Sequence, residues 1–179
     1  NNKKIWILLF IGSLPLIFVG YVVYKYNIYD SIRNIEIIAW STLIFGIFLY
    51  ISDKFIQSKS LNNNLNIKNI ITIGLIQILA LIPGASRSGV VITGSRFLKF
   101  SRHDAAKISF ILSIPALLGA SFLTMNDTFL IKETLNLNII LGIIFSYIFS
   151  YLTIKYFLIY TRSFSLNIFV LYRILLSLI

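Results

Sequence analysis

Residues 79–89 read Leu-Ala-Leu-Ile-Pro-Gly-Ala-Ser-Arg-Ser-Gly and lie in the middle of a long apolar stretch. Pro83 cannot continue a helix and Gly84 tolerates the backbone angles of a turn, so we expect an incoming helix to stop here. Ser86 or Ser88 can then cap a new helix. Its free N–H groups, its positive dipole end, the two hydroxyls and the arginine between them would converge on one spot. The motif therefore predicts a site for phosphate or another oxyanion.

The charge of Arg87 supports this interpretation. A guanidinium at membrane depth costs several kcal/mol unless it is paired or lines a wet cavity, so such a residue usually marks a functional site. The alternative is a Pro-Gly kink in an ordinary span, with Arg87 reaching to the membrane interface. A long basic side chain reaches the interface most easily from near the end of a helix, whereas Arg87 lies in the middle of the apolar stretch. We therefore favour the functional interpretation.

The composition is that of a multi-span helical membrane protein. Hydrophobic residues make up 58% of the 179 residues and charged residues 12%, and the mean hydropathy is +0.87, which excludes the soluble classes. The net charge of +10 does not indicate nucleic acid, because the basic residues cluster between apolar runs, as in a topology signal. The absence of cysteine excludes disulfides, and a single histidine disfavours a metal site built by this chain alone.

Four apolar stretches are long enough to cross a bilayer, and a fifth, residues 164–179, is short. Residues 70–100 are also apolar, but the Pro83-Gly84 break divides them into pieces of about 13 residues, each roughly 20 Å long. Neither piece spans a core about 30 Å thick. This segment is therefore either one kinked crossing helix or a hairpin that enters and leaves on the same side. The four predicted spans are 5–24, 35–51, 108–124 and 137–159.

The basic residues decide between these two arrangements. With a hairpin, nine Lys and Arg residues lie on one side of the membrane and three on the other, a strong positive-inside bias. With a crossing helix, the same residues divide six against six. The nine are Lys3, Lys4, Lys54, Lys59, Lys68, Lys99, Arg102, Lys107 and Arg162, and the three are Lys25, Arg33 and Lys132. The charges therefore favour a re-entrant hairpin entered from the cytoplasm, with residues 86–88 near the bilayer midplane, inside protein or a water-filled cavity.

Three stretches carry a resemblance to a known family. They are the motif at 83–89, the run Asp-Ala-Ala-Lys-Ile-Ser-Phe at 104–110 and the run Ile-Pro-Ala-Leu-Leu-Gly at 114–119, and the closing Leu-Tyr-Arg at 171–173 adds a fourth match. In order and spacing they resemble the undecaprenyl-diphosphate phosphatase family, also known as bacitracin-resistance proteins. The chain departs from the family at Val91, where a Thr is usual, and at Thr93, where Ser is preferred.

The resemblance implies an all-α, polytopic integral membrane protein built from two inverted halves. Residues 1–179 form a single membrane domain in which 70–179 fit one complete half, with 70–100 as its re-entrant pair. Spans 5–24 and 35–51 correspond to the end of the other half. The N-terminal part of that first half, which carries the family's glutamate-rich motif, is expected to be missing.

The resemblance also implies an activity. The family removes the terminal phosphate of undecaprenyl diphosphate in the bacterial inner membrane, recycling the lipid carrier for peptidoglycan synthesis. The expected cofactor is a divalent cation, Mg²⁺ or Ca²⁺, with ligands outside this chain and no metal-binding residue within it. The expected partners are the polyprenyl diphosphate substrate, membrane lipids and a second copy in a possible homodimer, with no nucleic acid.

The candidate site residues take two roles. Arg87 and Ser86 are the candidate catalytic residues. Arg87 would stabilise the phosphoryl oxygens, and either Ser86 or Ser88 could in principle be a nucleophile. Because no base is within sequence reach, phosphate contact is the favoured role of the serines. A buried, satisfied amide at Gln77, a backbone-bonded hydroxyl at Thr93 and carbonyl contacts at Arg173 remain open alternatives. The candidate substrate-binding residues are Ser88, Gly84, Gly89, Thr93, Gln77 and Arg173.

Two other functions stay open. Broken helices whose N-termini point at an anion near the midplane also occur in secondary transporters, so a polyprenyl-phosphate flippase is the alternative. Phosphate release distinguishes the two, because a pure transporter moves the lipid without hydrolysis. A third possibility is a truncated, inactive protein, which the missing glutamates would favour.

Overall fold

The computed structural model describes residues 2–28, 32–130 and 137–178. Asn1, Lys132 and Ile179, which enter the predicted domain bounds and topology, lie outside these ranges. Within them the chain is all-α, with a short 3₁₀ turn between α4 and α5. The helices are α1 (Asn2–Lys25), α2 (Ile35–Asp53), α3 (Leu61–Asn64), α4 (Ile67–Gln77), the 3₁₀ turn (Ile78–Leu81), α5 (Arg87–Phe97), α6 (Arg102–Leu130), α7 (Leu137–Ser163) and α8 (Asn167–Ser177).

Among the described residues, four helices are long and apolar enough to cross a membrane. They contain the spans Ile5–Lys25, Ile35–Asp53, Arg102–Leu123 and Leu137–Ser163, which confirms the four predicted spans. The third begins six residues earlier than predicted, because the Ser101 hydroxyl accepts a hydrogen bond from the Asp104 N–H at 3.0 Å and caps α6 there. The fold is that of a multi-pass membrane protein.

The predicted break lies between α4 and α5, but the incoming α-helix ends at Gln77, before Pro83. The chain tightens into the 3₁₀ turn, and Ile82 then adopts an extended conformation with φ −70° and ψ 125°. The α conformation is disfavoured for a residue that precedes proline, which explains the extended conformation of Ile82. Gly84 turns the chain at φ 86°.

The outer ends of the α4–α5 unit meet. The N–H groups of Ser58 and Lys59, before α4, donate to the Lys99 carbonyl, after α5, at 3.0 and 3.1 Å. The Ser101 N–H returns a bond to the Lys59 carbonyl at 3.3 Å. The chain therefore leaves α5 beside the place where it approaches α4.

The α4 helix packs against α1 through glycine. A Cβ at Gly74 would overlap the Gly12 carbonyl oxygen, and a Cβ at Gly12 would come within 2.7 Å of the Ile70 side chain. Such close approach of two backbones is typical of helix packing in membranes. The surrounding core comprises Leu8, Leu9, Leu61, Leu65, Ile70, Ile73, Val91, Phe100, Ile108 and Leu112.

A buried ion-pair network joins the ends of several helices. The Asp53 carboxylate accepts from Arg102 Nε at 2.6 Å and from a terminal Arg102 nitrogen at 3.0 Å, and lies 3.7 Å from Arg96 Nε. It also accepts the Leu166 N–H at 3.2 Å. Arg96 in turn donates to the carbonyls of Phe100 and Asp53 at 2.6 and 3.0 Å. The network holds α2, α5, α6 and the start of α8 together.

Candidate active site

The Pro83–Ala85 turn is held by side chains from α2 and α8. The Ser41 hydroxyl donates to the Pro83 carbonyl, and the Thr42 hydroxyl donates to the Gly84 carbonyl at 3.2 Å. The Arg173 guanidinium donates to the carbonyls of Gly84 and Ala85 at 2.9 and 3.1 Å. Three successive carbonyls of the turn thus have partners, which fixes the direction in which the next helix starts.

Two glycines allow this arrangement. At Gly84 a Cβ would lie 2.5 Å from the Ile38 carbonyl oxygen, and its φ of 86° also disfavours any other residue. At Gly89 a Cβ would come within 2.7 Å of a terminal nitrogen of Arg173. Both predicted glycines are therefore positions where backbone or a guanidinium must approach closely.

The α5 helix starts at the predicted serines. Ser86 is the N-cap at φ 60° and ψ 110°, and its hydroxyl accepts the Gly89 N–H at 3.4 Å. The hydroxyls of Ser86 and Ser88 are 3.4 Å apart and both side chains are exposed. The first N–H groups of a helix lack intrahelical acceptors and carry the positive end of its dipole. The two hydroxyls and this helix end therefore form a surface whose chemistry suits an anion.

This surface opens into a cavity of about 610 Å³, which we call the serine cavity. Ser86, Ser88 and Arg173 form the main polar part of its lining, and most of the other lining residues are aliphatic or aromatic. A polar end and apolar walls suit an amphiphile with an anionic head. The remaining lining residues are Ile38, Thr42, Leu49, Gly84, Gly89, Ile92, Phe110, Thr153, Phe157, Leu166, Phe169, Tyr172 and Leu176.

The Arg87 guanidinium lies in a different space from the serine hydroxyls. It lines a groove of about 570 Å³ between α1, the 3₁₀ turn and α6, which we call the Arg87 groove. It is half-buried, and it donates to the Ser113 carbonyl at 3.4 Å. The structure thus brings Ser86, Ser88 and Arg173 together and places Arg87 on another side of the same helix end. A hydrogen bond of that length is weak, so a phosphate oxygen can replace the carbonyl.

Two predicted substrate-binding residues are buried away from both spaces. Gln77 is fully buried and Thr93 nearly so, and in the part of the chain that the structure describes neither lines the serine cavity or the Arg87 groove. The amide atoms of Gln77 and the hydroxyl of Thr93 have no hydrogen-bond partner among the described residues. The proposed alternatives of a satisfied amide and a backbone-bonded hydroxyl are therefore not seen, and substrate contact by these residues stays a prediction.

Ser41 and Thr42 were missed by sequence reasoning. The signal was a pair of hydroxyl residues inside the apolar span of α2, where both side chains are buried. Buried hydroxyls in a membrane helix need hydrogen-bond partners, which indicates a contact with irregular backbone nearby.

The described residues do not fit a divalent-cation site. They contain no group of three or more His, Asp and Glu side chains that could hold a metal ion. Asp53 is already bound by two arginines, and Asp104 accepts the Leu61 N–H at 3.1 Å. The polar part of the serine cavity carries hydroxyls and a cation, which attract anions instead of metals.

Comparisons with known proteins identify the family of this chain. The family model described as "Bacitracin resistance protein BacA" matches residues 1–179. A protein from Pelagibacter ubique (strain HTCC1062), named "Undecaprenyl-diphosphatase", is 49% identical over all of this chain and 70% of its own length. One of the same name from Elusimicrobium minutum (strain Pei191) is 39% identical over all of this chain and 67% of its own length. The chain therefore belongs to the bacitracin resistance protein BacA family.

Proposed function

We propose that this protein hydrolyses undecaprenyl diphosphate to undecaprenyl phosphate and inorganic phosphate, recycling the lipid carrier of peptidoglycan synthesis in the bacterial inner membrane. Family membership and the relatives named undecaprenyl-diphosphatase support the reaction. The observation that carries the assignment of the site is the start of α5, where Ser86 and Ser88 open into a cavity with apolar walls.

In this proposal the diphosphate lies at the start of α5 and the prenyl chain lies along the apolar walls of the serine cavity. The hydroxyls of Ser86 and Ser88 donate to phosphoryl oxygens, and the helix dipole favours the negative charge. Arg173 keeps the turn in place and adds positive charge from α8. Fixed donors of this kind stabilise the charge of the transferred phosphoryl group.

Arg87 approaches the same helix end from the side of α1 and α6. Exchange of its long bond to the Ser113 carbonyl for a phosphoryl oxygen would bring the guanidinium onto the group being transferred. Attack of a water oxygen at the terminal phosphorus forms one P–O bond and breaks the bond to the bridging oxygen, which stays on the lipid monophosphate. Inorganic phosphate leaves with the water oxygen, and the proton that the water loses passes to the solvent. The guanidinium stabilises the oxygens during this step.

We also propose that α4 and α5 form a re-entrant hairpin, with the Pro83–Ala85 turn at membrane depth. The bonds between Ser58, Lys59 and Lys99 support it, because they hold both outer ends of the unit at one place. Each helix has 11 residues, too few to cross a core about 30 Å thick. The positive-inside bias favours the cytoplasm for this end.

The test is inorganic phosphate release from undecaprenyl diphosphate by the protein in detergent with Mg²⁺ or Ca²⁺ added. We expect Arg87→Ala to lower the rate at least about 100-fold, as for loss of a preorganised donor to a developing charge. Lys68→Ala, which removes an exposed cation from the first turn of α4, is the matched control and should keep the rate.

Two results would overturn parts of the proposal. The folded wild-type protein could release no phosphate and yet transfer the lipid across vesicle membranes. That result would show that the protein is a transporter and not a phosphatase. Equal rates of phosphate release by the wild type and Arg87→Ala would show that Arg87 is not part of the site, although the protein would still be a phosphatase. Thermal unfolding followed by the fluorescence of Trp6 and Trp40 checks that each variant is folded.

A further inference from the structure

Three basic side chains gather where α6 begins and α7 ends, away from the serine cavity. His103 and Lys107 are one turn apart on α6, and Arg162 lies one turn after Leu158 on α7. The His103 Nδ1 lies 3.0 Å from the Leu158 carbonyl, so the imidazole donates this bond and joins the two helices. Lys107 is half-buried. Asp104, one turn before it on α6, directs its carboxylate to the Leu61 N–H instead.

A groove of about 390 Å³, which we call the Lys107 groove, lies beside this cluster between α1, α6 and α7. Its walls are almost entirely apolar, and Trp6 and Ile111 continue it into a second apolar crevice of about 610 Å³ between α1 and α6. Trp6 is half-exposed near the start of α1, a placement typical of tryptophan at a membrane interface. The other walls of the Lys107 groove include Ile5, Phe110, Ile154 and Leu158.

We propose that the Lys107 groove binds an anionic phospholipid, separately from the hydrolytic site. The phosphodiester would lie against Lys107 and Arg162, and an acyl chain would follow Trp6 and Ile111 between α1 and α6. Charge complementarity favours this occupant, because a basic lip above an apolar groove between helices matches an anionic head group above a hydrocarbon chain. His103 holds α6 and α7 at the spacing that forms the groove.

The Lys107 groove is a separate space from the serine cavity, which is where we place the prenyl diphosphate of the reaction. The rings of Phe110 and Phe157 meet edge to face with centroids 5.6 Å apart. Phe110 lines both spaces, with the Lys107 groove on one side and the serine cavity on the other. The aromatic pair therefore separates the two sites.

The test uses Trp6 as a reporter inside the groove. The Trp40→Phe variant leaves Trp6 as the one tryptophan of the chain. It is placed in phosphatidylcholine nanodiscs that contain either brominated phosphatidylglycerol or brominated phosphatidylcholine at equal mole fraction, and quenching of Trp6 is measured. We expect stronger quenching by the anionic lipid, with an apparent preference of about five-fold for each cation at the site.

Matched variants distinguish a specific lipid site from a general attraction of anionic lipids to the basic surface of the protein. In the Trp40→Phe background, Lys107→Gln and Arg162→Gln should each lower the preference about five-fold. Lys54→Gln, the same change of charge at the end of α2 where the ammonium lies over the Tyr50 ring, should leave it unchanged. Arg162 is exposed near the end of α7, so its variant remains informative if Lys107→Gln fails to fold.

Two results would overturn the proposal. Equal quenching by the two brominated lipids, or equal loss of preference in Lys54→Gln and Lys107→Gln, would mean that the groove carries ordinary annular lipid. Relief of quenching by added undecaprenyl diphosphate, at a mole fraction where unbrominated phosphatidylglycerol has no effect, would assign the groove to the substrate. The readout is binding, so it does not depend on phosphate release.

Discussion

Replacement of Asp53 tests the buried network that joins the helix ends around the candidate site. The Asp53 and Arg96 side chains are each 3% exposed, whereas Arg102 is 34% exposed. We therefore expect Asp53→Asn to leave the Arg96 charge buried without a counter-ion. The asparagine can still accept the Leu166 N–H, so the change mainly removes charge.

The size of the effect follows from the geometry. At 3.7 Å and an effective dielectric constant near 20, the Asp53–Arg96 attraction is about 4 kcal/mol. Removing one partner of a buried pair costs about 3–5 kcal/mol, because the other charge stays desolvated. The partly exposed Arg102 pair contributes about 1 kcal/mol or less. We expect Asp53→Asn to lower the free energy of unfolding by about 3 kcal/mol, or the melting temperature by roughly 10 °C.

The assay is thermal unfolding in detergent, followed by tryptophan fluorescence. The double-mutant cycle Asp53→Asn with Arg96→Leu should show a coupling above about 1 kcal/mol, and the cycle with Arg102→Gln a smaller one. Equal coupling energies in the two cycles, or additive effects of Asp53→Asn and Arg96→Leu, would refute the claim that Asp53 is the counter-ion of Arg96.

Three further changes address packing and the site. Gly74→Val should lower the melting temperature by several degrees, since overpacking against the Gly12 carbonyl costs about 1–3 kcal/mol; an unchanged melting curve would contradict the close α1–α4 contact. Gly84→Ala should cost about 1–2 kcal/mol from φ 86° alone and also slow phosphate release, and both melting and release should be measured. Arg173 donates from one terminal nitrogen to the carbonyls of Gly84 and Ala85 and from Nε to the Thr42 carbonyl, and a lysine ammonium cannot replace both nitrogens, so Arg173→Lys should lower phosphate release at least about ten-fold while the melting temperature changes little; wild-type turnover would show that the turn needs no guanidinium.

The start of α5 could be predicted from the sequence because its signals are local. Pro83 favours the extended conformation of Ile82, Gly84 allows the turn and Ser86 caps the next helix, and each effect depends on neighbouring residues alone. The four spans were predictable for a similar reason, since length and hydropathy are properties of a single segment.

The contacts around the turn could not be predicted, because they join distant segments. The bond from Thr42 to Gly84 and those from Arg173 to the turn depend on how α2 and α8 pack on it. The side on which the Arg87 guanidinium lies is also a matter of packing, since α1 and α6 form its groove. A local motif can place hydroxyls and a guanidinium on one helix end, but tertiary packing decides which cavity each side chain lines.

The most direct measurement of the central claim is a structure of the protein with a methylene-bridged, non-hydrolysable analogue of undecaprenyl diphosphate. We predict head-group phosphates within hydrogen-bond distance of the hydroxyls of Ser86 and Ser88, with the prenyl chain along the apolar walls of the serine cavity. A head group bound elsewhere, with the start of α5 free of phosphate, would contradict the assignment of this helix end as the reaction site.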